Sequence, residues 1–308
     1  MPNTGKKISV IGAGNVGATI TNDLTLLGLA AEIVVVDTAE EKAKGEAMDI
    51  YHAVPLCKPV RVYSGGYADI SGSDIVVITA GSNRKPGQTR LDLGKVNVAI
   101  MKSIMAEVEK YAADAVIVMV SNPVDVLTYA AAKWTSIPSD KIISSGTLLD
   151  TIRLMTLIGD EAGAQSANVD TYVLGEHGET SFVTWSSTTV NGLSVEKLID
   201  KNKFDDIAAA MRSAGAEVIK RKGATFYGVA LSVCRICEAV LRNEKVLLPV
   251  GSLMQGEYGI SDVCLSVPSI VGAGGVEKRI EIELDADEKD KLLKSANALK
   301  AFIAEMGI

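Results

Sequence analysis

The sequence lacks the features that mark secreted, membrane-bound and nucleic-acid-binding proteins. Only four cysteines are spread over 308 residues, too few for a disulfide framework. No apolar run reaches the roughly 18 residues of a membrane span, and no cleavage-type signal precedes the first apolar segment. The net charge is -7 and no basic run occurs, which argues against nucleic acid and membranes as partners. We therefore expect a cytoplasmic protein.

Histidine is also scarce, since the chain has only two. His52 lies in a helix-like segment without an identifiable partner. Cys234 and Cys237 have the spacing of a metal-binding pair, but no second pair or nearby histidine completes a tetrahedral site. We expect structural thiols there and no bound metal.

What the sequence does contain is a dinucleotide-binding pattern near its start. The apolar residues 8–11 are followed at once by Gly12, Gly14 and Gly17, and then by apolar residues at helical spacing. The three glycines permit a tight turn, close approach of a pyrophosphate and packing of helix on strand. A second strand ends at Asp37, where a carboxylate holds the adenosine ribose and repels a 2′-phosphate. NAD is therefore favoured over NADP.

The order of the other segments predicts the fold class. Residues 74–80 and 115–121 are apolar runs typical of strands buried on both faces of a parallel sheet. Their alternation with helical segments predicts an α/β fold, a doubly wound (Rossmann) parallel-sheet domain over residues 1–144 that closes at 141–143. The length favours a second domain, an α+β substrate domain over 145–308. For that domain we expect helices around 208–218, 231–241 and 292–306 and strands around 246–250, 263–267 and 280–284.

Three side chains in the second half suit acid/base chemistry on a carboxylate-bearing substrate. Asp150 and Arg153 lie three residues apart in the helix expected over 147–158, so both leave one face of it. His177 follows a short strand-like run that breaks at glycine. We expect the Asp150 carboxylate to bind one ring nitrogen of His177 and leave the other facing substrate. Arg153 supplies a bidentate partner for a carboxylate.

Two polar loops follow buried strands, at the edge where ligands bind in such sheets. The first, residues 81–90, is called the lid loop here and carries Arg84 and Arg90. The second contains Asn122, whose amide would reach the nicotinamide ribose and a substrate oxygen. Both are expected to face the ligand.

Five motifs follow one another along the chain: the glycine loop, the lid loop, Asn122-Pro-Val, Leu149-Asp-Thr-Ile-Arg and Gly-Glu-His-Gly. In this order they resemble the motifs of the lactate/malate dehydrogenases, and the resemblance runs almost from end to end. The resemblance implies that His177 is the acid/base and Asp150 its partner. It also implies a carboxylate clamp at Arg153, NAD as cofactor, a small 2-oxo or 2-hydroxy acid as substrate and a homo-oligomer, a dimer or tetramer. Arg90 would polarise the carbonyl and Asn122 would orient substrate. The implied cofactor contacts are Gly12, Gly14, Asn15, Val16, Gly17, Asp37, Ala80, Gly81, Asn97, Val120 and Asn122.

The substrate's other end gives two signals. Arg84 occupies a lid position that resembles malate dehydrogenases, and a dicarboxylate buried under a lid needs a cation. The segments around Trp185 and Thr225 look more like the lactate branch, with Thr225 in the substrate pocket. Because Arg84 acts through charge, we favour malate dehydrogenase, which converts L-malate and NAD⁺ to oxaloacetate and NADH. L-lactate dehydrogenase is the alternative.

Three further features bear on alternatives. The sugar-phosphate site of many bacterial lactate dehydrogenases falls on Met155 and Asp170, neither of which suits a phosphate, so we expect no such activation. Tyr129 and Lys133 match the Tyr-x-x-x-Lys pair of short-chain reductases, although that family's glycine turn is absent. A catalytically silent NAD-binding protein would not need Asp150, Arg153 and His177 together.

Overall fold

The computed structural model describes residues 5–82 and 89–308. Short runs of β-branched residues form the strands of the first half, and amphipathic segments form its helices. The strands of this half are β1 (Lys7–Ile11), β2 (Glu32–Val36), β3 (Arg61–Ser64), β4 (Ile75–Ile78), β5 (Val116–Met119) and β6 (Ile142–Ser144). The helices are α1 (Asn15–Leu27), α2 (Glu40–His52), α3 (Arg90–Ala112) and α4 (Val124–Trp134).

The second half mixes helices with antiparallel strands. Its helices are α5 (Leu148–Ala162), α6 (Phe204–Lys222), α7 (Tyr227–Arg242) and α8 (Ala286–Met306). Its strands are β7 (Val169–Asp170), β8 (Val173–Leu174), β9 (Phe182–Val183), β10 (Thr189–Val190), β11 (Leu193–Ser194), β12 (Val246–Gln255), β13 (Ser261–Gly272) and β14 (Gly275–Arg279).

Nine strands form one sheet in the order β14-β13-β12-β6-β5-β4-β1-β2-β3. The strands from β6 to β3 pair in parallel. Alternate residues of β4 enter two different cores: Ile75 and Val77 pack on one face of the sheet, Val76 and Ile78 on the other. Both faces are therefore covered, and the doubly wound parallel sheet followed by an α/β half is confirmed.

Two of the expected strand features are wrong. The sheet does not close at β6, because β12 pairs antiparallel with it through Gly251 and Ser144 and carries the sheet into the second half of the chain. Residues 280–284 alternate between more buried and more exposed positions as a strand does, but the last strand is β14, which ends at Arg279. The Ile280 amide still donates to the Pro268 carbonyl of β13 at 2.8 Å, whereas the Ile282 amide donates to the Tyr258 hydroxyl at 2.7 Å, so the chain leaves the sheet after Ile280. The division into residues 1–144 and 145–308 stays a prediction.

The fold gathers strand ends and helix starts on one side of the sheet. β1 runs into α1, β5 into α4 and β6 into α5 with short connections. The first residues of these helices therefore lie beside the carboxyl ends of the parallel strands, where ligands bind in such sheets. Among the described residues no helix is long and apolar enough to cross a membrane.

Candidate active site

The turn between β1 and α1 is shaped by its glycines. Gly12 has φ +111, a backbone conformation that favours glycine. A Cβ at Gly17 would overlap the carbonyl oxygen of Gly12, so only glycine lets the helix approach the strand. A Cβ at Gly14 would meet no atom within 4 Å, and the first turn of α1, which begins with Asn15 and Val16, carries no acidic residue. The exposed start of α1 is thus suited to a phosphate group.

Asp37 lies at the carboxyl end of β2 and faces the same turn. Its Oδ2 accepts a hydrogen bond from the Ala13 amide at 2.6 Å, and its Oδ1 accepts one from the Ala39 amide at 2.8 Å. A cavity of about 430 Å³ opens beside it, lined partly by Tyr67 and Lys44. A carboxylate at the rim of a cavity of this size suits an adenosine, and these residues fit NAD.

Asn97 joins the two loops that leave β4 and β5. Its side chain is buried: Oδ1 accepts from the Ser82 amide at 2.7 Å, and Nδ2 donates to the Asn122 carbonyl at 2.7 Å. Ala80, Gly81 and Val120 of these loops are partly or fully exposed. Asn97 thereby fixes the spacing between the loops, and its direct contact with a cofactor stays a prediction.

The acid, the arginine and the histidine come together as expected. Asp150 Oδ2 lies 2.7 Å from His177 Nδ1, and Arg153 Nη1 donates to Asp150 Oδ1 at 3.0 Å. The Asp150 side chain is only 10% exposed, against 28% for His177. One carboxylate therefore binds Nδ1–H of the ring and the guanidinium at once, which leaves Nε2 for a ligand.

Two threonines hold α5 against β8. Thr147 Oγ1 donates to the Val173 carbonyl at 2.5 Å, and the Val173 amide donates to Thr151 Oγ1 at 3.0 Å. Both threonines are buried and flank Asp150 on the helix. Because β8 leads directly to His177, this pair of bonds sets the register between Asp150 and the histidine.

The His177 ring is more basic than an ordinary imidazole. Burial lowers the pKa of His177. The hydrogen bond and charge of Asp150 and the charge of Asp125 raise it by more than burial lowers it, so the net shift of the pKa is upward. The His177 amide also donates to Asp125 Oδ2 at 2.7 Å. A raised pKa favours the protonated ring that can donate to a developing alkoxide.

A second cavity, of about 290 Å³, opens beside His177. Its wall includes Asn122 at the start of α4 and Leu93 of α3. Arg153 is not part of this wall, and it reaches the histidine through Asp150. The cavity therefore lies beside the first turns of α3, which begins at residue 90.

Several predicted substrate contacts have a limited structural description. Arg84 lies outside the described residues, and so does the side chain of Arg90, whose backbone opens α3. Thr225 lies partly buried in the connection between α6 and α7. The roles expected for these three residues stay predictions.

The Tyr129 and Lys133 pair forms a surface contact of another kind. Lys133 Nζ lies 2.6 Å from Asp262 Oδ1, and the Tyr129 hydroxyl donates to the same oxygen at 3.1 Å. Burial first, and then Asp262, raise the pKa of Tyr129. A short-chain reductase needs the opposite shift, and the contacts that this pair makes connect α4 to β13.

Comparisons with known proteins agree with this geometry over the whole chain. Residues 6–144 match the model of the lactate/malate dehydrogenase NAD binding domain, and 147–307 match that of the lactate/malate dehydrogenase alpha/beta C-terminal domain. The chain belongs to the lactate/malate dehydrogenase family. It is accordingly an NAD-dependent dehydrogenase that acts on a small L-2-hydroxy acid.

Individual relatives are similar along nearly their full length. The L-lactate dehydrogenase of Acetivibrio thermocellus is 44% identical, with 98% of each chain covered. That of Clostridium botulinum is 48% identical over 96% of this chain and 95% of the relative. A ligand-bound crystal structure of the minor L-lactate dehydrogenase of Enterococcus mundtii has a TM-score of 0.95 and 37% identity, covering 98% of this chain and 99% of that one.

These findings correct the expectation of malate dehydrogenase. These three relatives are named L-lactate dehydrogenases, so the preference drawn from Arg84 is wrong. A lid cation selects a dicarboxylate only if its guanidinium faces the distal end of the substrate, and the charge argument assumed that orientation. The signals around Trp185 and Thr225 are distributed over more of the chain and carried the better indication.

Sequence reasoning missed four residues that shape the site. Tyr67 lines the cavity beside Asp37. Thr147 and Thr151 bind the backbone of Val173, and Asp125 binds the backbone of His177. The threonines are spaced four apart around Asp150, and Asp125 follows Asn122-Pro-Val directly, so proximity to the known motifs was the available signal.

Proposed function

We propose that this protein is an L-lactate dehydrogenase, which interconverts pyruvate and NADH with L-lactate and NAD⁺. The observation that carries the proposal is the match to L-lactate dehydrogenases at 44–48% identity along nearly the whole chain. The basic, Asp150-bound His177 beside Arg153 supports it, because these groups suit a small 2-oxo acid.

In this proposal NADH, when bound at the start of α1 and beside Asp37, supplies the hydride. His177 donates the proton from Nε2 to the substrate oxygen as negative charge develops there, while Asp150 holds Nδ1–H and stabilises the charged ring. Arg153 binds the substrate carboxylate through the edge of its guanidinium that does not face Asp150. In the oxidative direction the neutral ring accepts the proton from the hydroxyl.

The remaining contacts are assigned by the same chemistry. Asn122 is exposed after β5 and lines the same cavity as His177, which supports its assignment to the substrate and the nicotinamide ribose. Arg90 polarises the carbonyl, while Thr225 lies at the substrate methyl group. These two assignments rest on the family motifs.

The direct test is product analysis. Purified enzyme with NADH and pyruvate should consume both in equal amounts and yield L-lactate, measured by chiral chromatography. Absence of turnover of pyruvate, with turnover of another 2-oxo acid, would contradict the proposal.

We also propose that the chain forms a homo-oligomer, a dimer or a tetramer. Large apolar side chains are exposed on and after α2, where Met48 is 59%, Tyr51 48% and Leu56 94% exposed. Such a group of side chains is typical of a protein contact. Light scattering on the eluting protein should give a mass that is an even multiple of 32.4 kDa.

A further inference from the structure

A second carboxylate, that of Asp125, binds His177, but through the backbone of the histidine and not through its ring. Asp125 lies in the first turn of α4 and is only 3% exposed. Its Oδ2 accepts the backbone N–H of His177 at 2.7 Å, a contact between residues 52 apart in the chain. Buried carboxylates are rare unless they are paired with a cation or hydrogen-bonded.

The surroundings of Asp125 are built around the charged group. The N-terminus of α4 and the donated N–H both stabilise negative charge on the carboxylate. Gly251 of β12 leaves space for the Asp125 carboxylate, since a Cβ at Gly251 would lie 3.3 Å from Asp125 Oδ1. Asp125 also lines the cavity beside His177.

We propose that Asp125 is a positioning residue for the dehydrogenase reaction: it fixes the His177 backbone and keeps a second buried negative charge near the ring, which holds the proton that the reduction consumes. The inference rests on the proposed role of His177 as acid/base. It concerns the strength of that acid and not the binding of substrate or cofactor.

The charged groups that act on His177 among the described residues come from two helices. Asp150 and Asp125 raise the pKa of the ring, whereas burial and Arg153 lower it. On its other side Asp125 faces Cys264 of β13, whose thiol pKa is raised by burial and then by Asp125. A neutral residue at 125 therefore lowers the proton affinity of His177, because one of the two anions is lost.

A lower pKa of His177 has opposite consequences for the two directions of the reaction. Reduction needs the protonated ring, so its kcat/KM falls as pH rises through the pKa of His177. Oxidation needs the neutral ring, so its kcat/KM rises through the same pKa. A loss of proton affinity moves both midpoints to lower pH, whereas a merely loosened active site lowers both rates and moves neither.

The experiment uses Asp125→Asn in the full-length enzyme. Asparagine keeps an oxygen for the His177 amide but removes the charge. We expect kcat/KM for pyruvate reduction to fall about tenfold on the alkaline side of the profile and to stay within about twofold on the acid side. Over the same alkaline range, lactate oxidation should stay within about twofold of wild type, with its midpoint at lower pH.

Ser295→Ala is the matched control. Ser295 is buried, and its Oγ accepts the N–H of Glu176, the residue before His177, at 2.8 Å. The change removes the side-chain acceptor of the Glu176 N–H without removing a charge. It should lower the rates in both directions and leave the pH midpoints in place.

The outcomes separate this inference from the proposed function. If His177→Asn abolishes turnover but Asp125→Asn leaves both midpoints unchanged, the inference on Asp125 is wrong and the role of His177 stands. If His177→Asn keeps its activity, the proposed role of His177 fails with it. Should Asp125→Asn not fold, Asp125→Ser, which also removes the charge, carries the same prediction of lowered midpoints.

Discussion

At the scale of single residues, His177 is the group on which turnover depends. Its Nδ1 is bound to Asp150 at 2.7 Å, so replacement by asparagine keeps a polar side chain but removes the proton donor. We expect His177→Asn to lower kcat by roughly 10²–10⁴-fold, while NADH affinity stays within about twofold because the dinucleotide site lies at α1 and β2. Steady-state rates and fluorescence titration with NADH measure the two quantities. Lost NADH affinity with a normal kcat would contradict the assignment.

Asp37 should set the choice between the two nicotinamide cofactors. Its carboxylate lies at the rim of the cavity beside β2, where a 2′-phosphate would meet a like charge. We expect kcat/KM to be at least ~10-fold higher with NADH than with NADPH. Asp37→Ser should narrow this difference, and Asp37→Asn should also narrow it while keeping an acceptor for the Ala13 amide. Equal values for the two cofactors in the wild type would refute the argument.

At the scale of elements, the contact between α5 and β8 is the one that sets the catalytic geometry. Thr151→Val leaves the Val173 amide buried without its acceptor, which costs about 1–3 kcal/mol. We expect a loss of this size in the free energy of unfolding, measured in urea, together with a lower kcat, because Asp150 and His177 lose their register. Thr151→Ser keeps the hydroxyl and should recover most of both.

Thr128→Val provides a matched comparison. Thr128 is also a fully buried helical threonine, but its Oγ1 donates to the Val124 carbonyl of its own helix at 2.7 Å. No backbone donor loses its partner in Thr128→Val, so the loss in the free energy of unfolding should stay below about 1 kcal/mol and kcat should be unchanged. An equal effect of the two substitutions on kcat would argue against a special role for the α5–β8 contact.

At the scale of the whole molecule, the sequence predicted the first half of the chain better than the second. Glycine turns and continuous β-branched runs identify parallel strands because local chemistry alone requires them. The pairing of β12 with β6 depends on contacts across more than a hundred residues and has no local signature. Residues 281–284 show the opposite case, a strand-like pattern of burial in a segment that belongs to no strand.

The candidate site divides in the same way. The contact between Asp150 and His177 was predictable because their motifs are distinctive and their chemistry is complementary. The contacts of Asp125 and Thr151 were harder to predict, because only their proximity to the motifs marks them, and a buried polar side chain that binds a distant backbone group otherwise looks like any other helical residue in the sequence. The choice of substrate failed because one lid charge, Arg84, was weighed above the rest of the chain.

Regulation is a further property of the whole molecule. Met155 is partly buried beside the core of the second half, and Asp170 is exposed on β7 with a charge that repels phosphate. We expect a sugar bisphosphate at millimolar concentration to leave the KM for pyruvate unchanged. Steady-state assays with and without the compound measure this, and a several-fold fall in KM would show an activation site elsewhere.

The central claim is the identity of the substrate, and the specificity ratio between two 2-oxo acids tests it most directly. Initial rates of NADH oxidation with pyruvate and with oxaloacetate, measured over a range of concentrations, give kcat/KM for each. We predict a clearly higher value for pyruvate, because the relatives from Acetivibrio thermocellus and Clostridium botulinum, which match along nearly the whole chain, are named L-lactate dehydrogenases. A higher value for oxaloacetate would contradict the account.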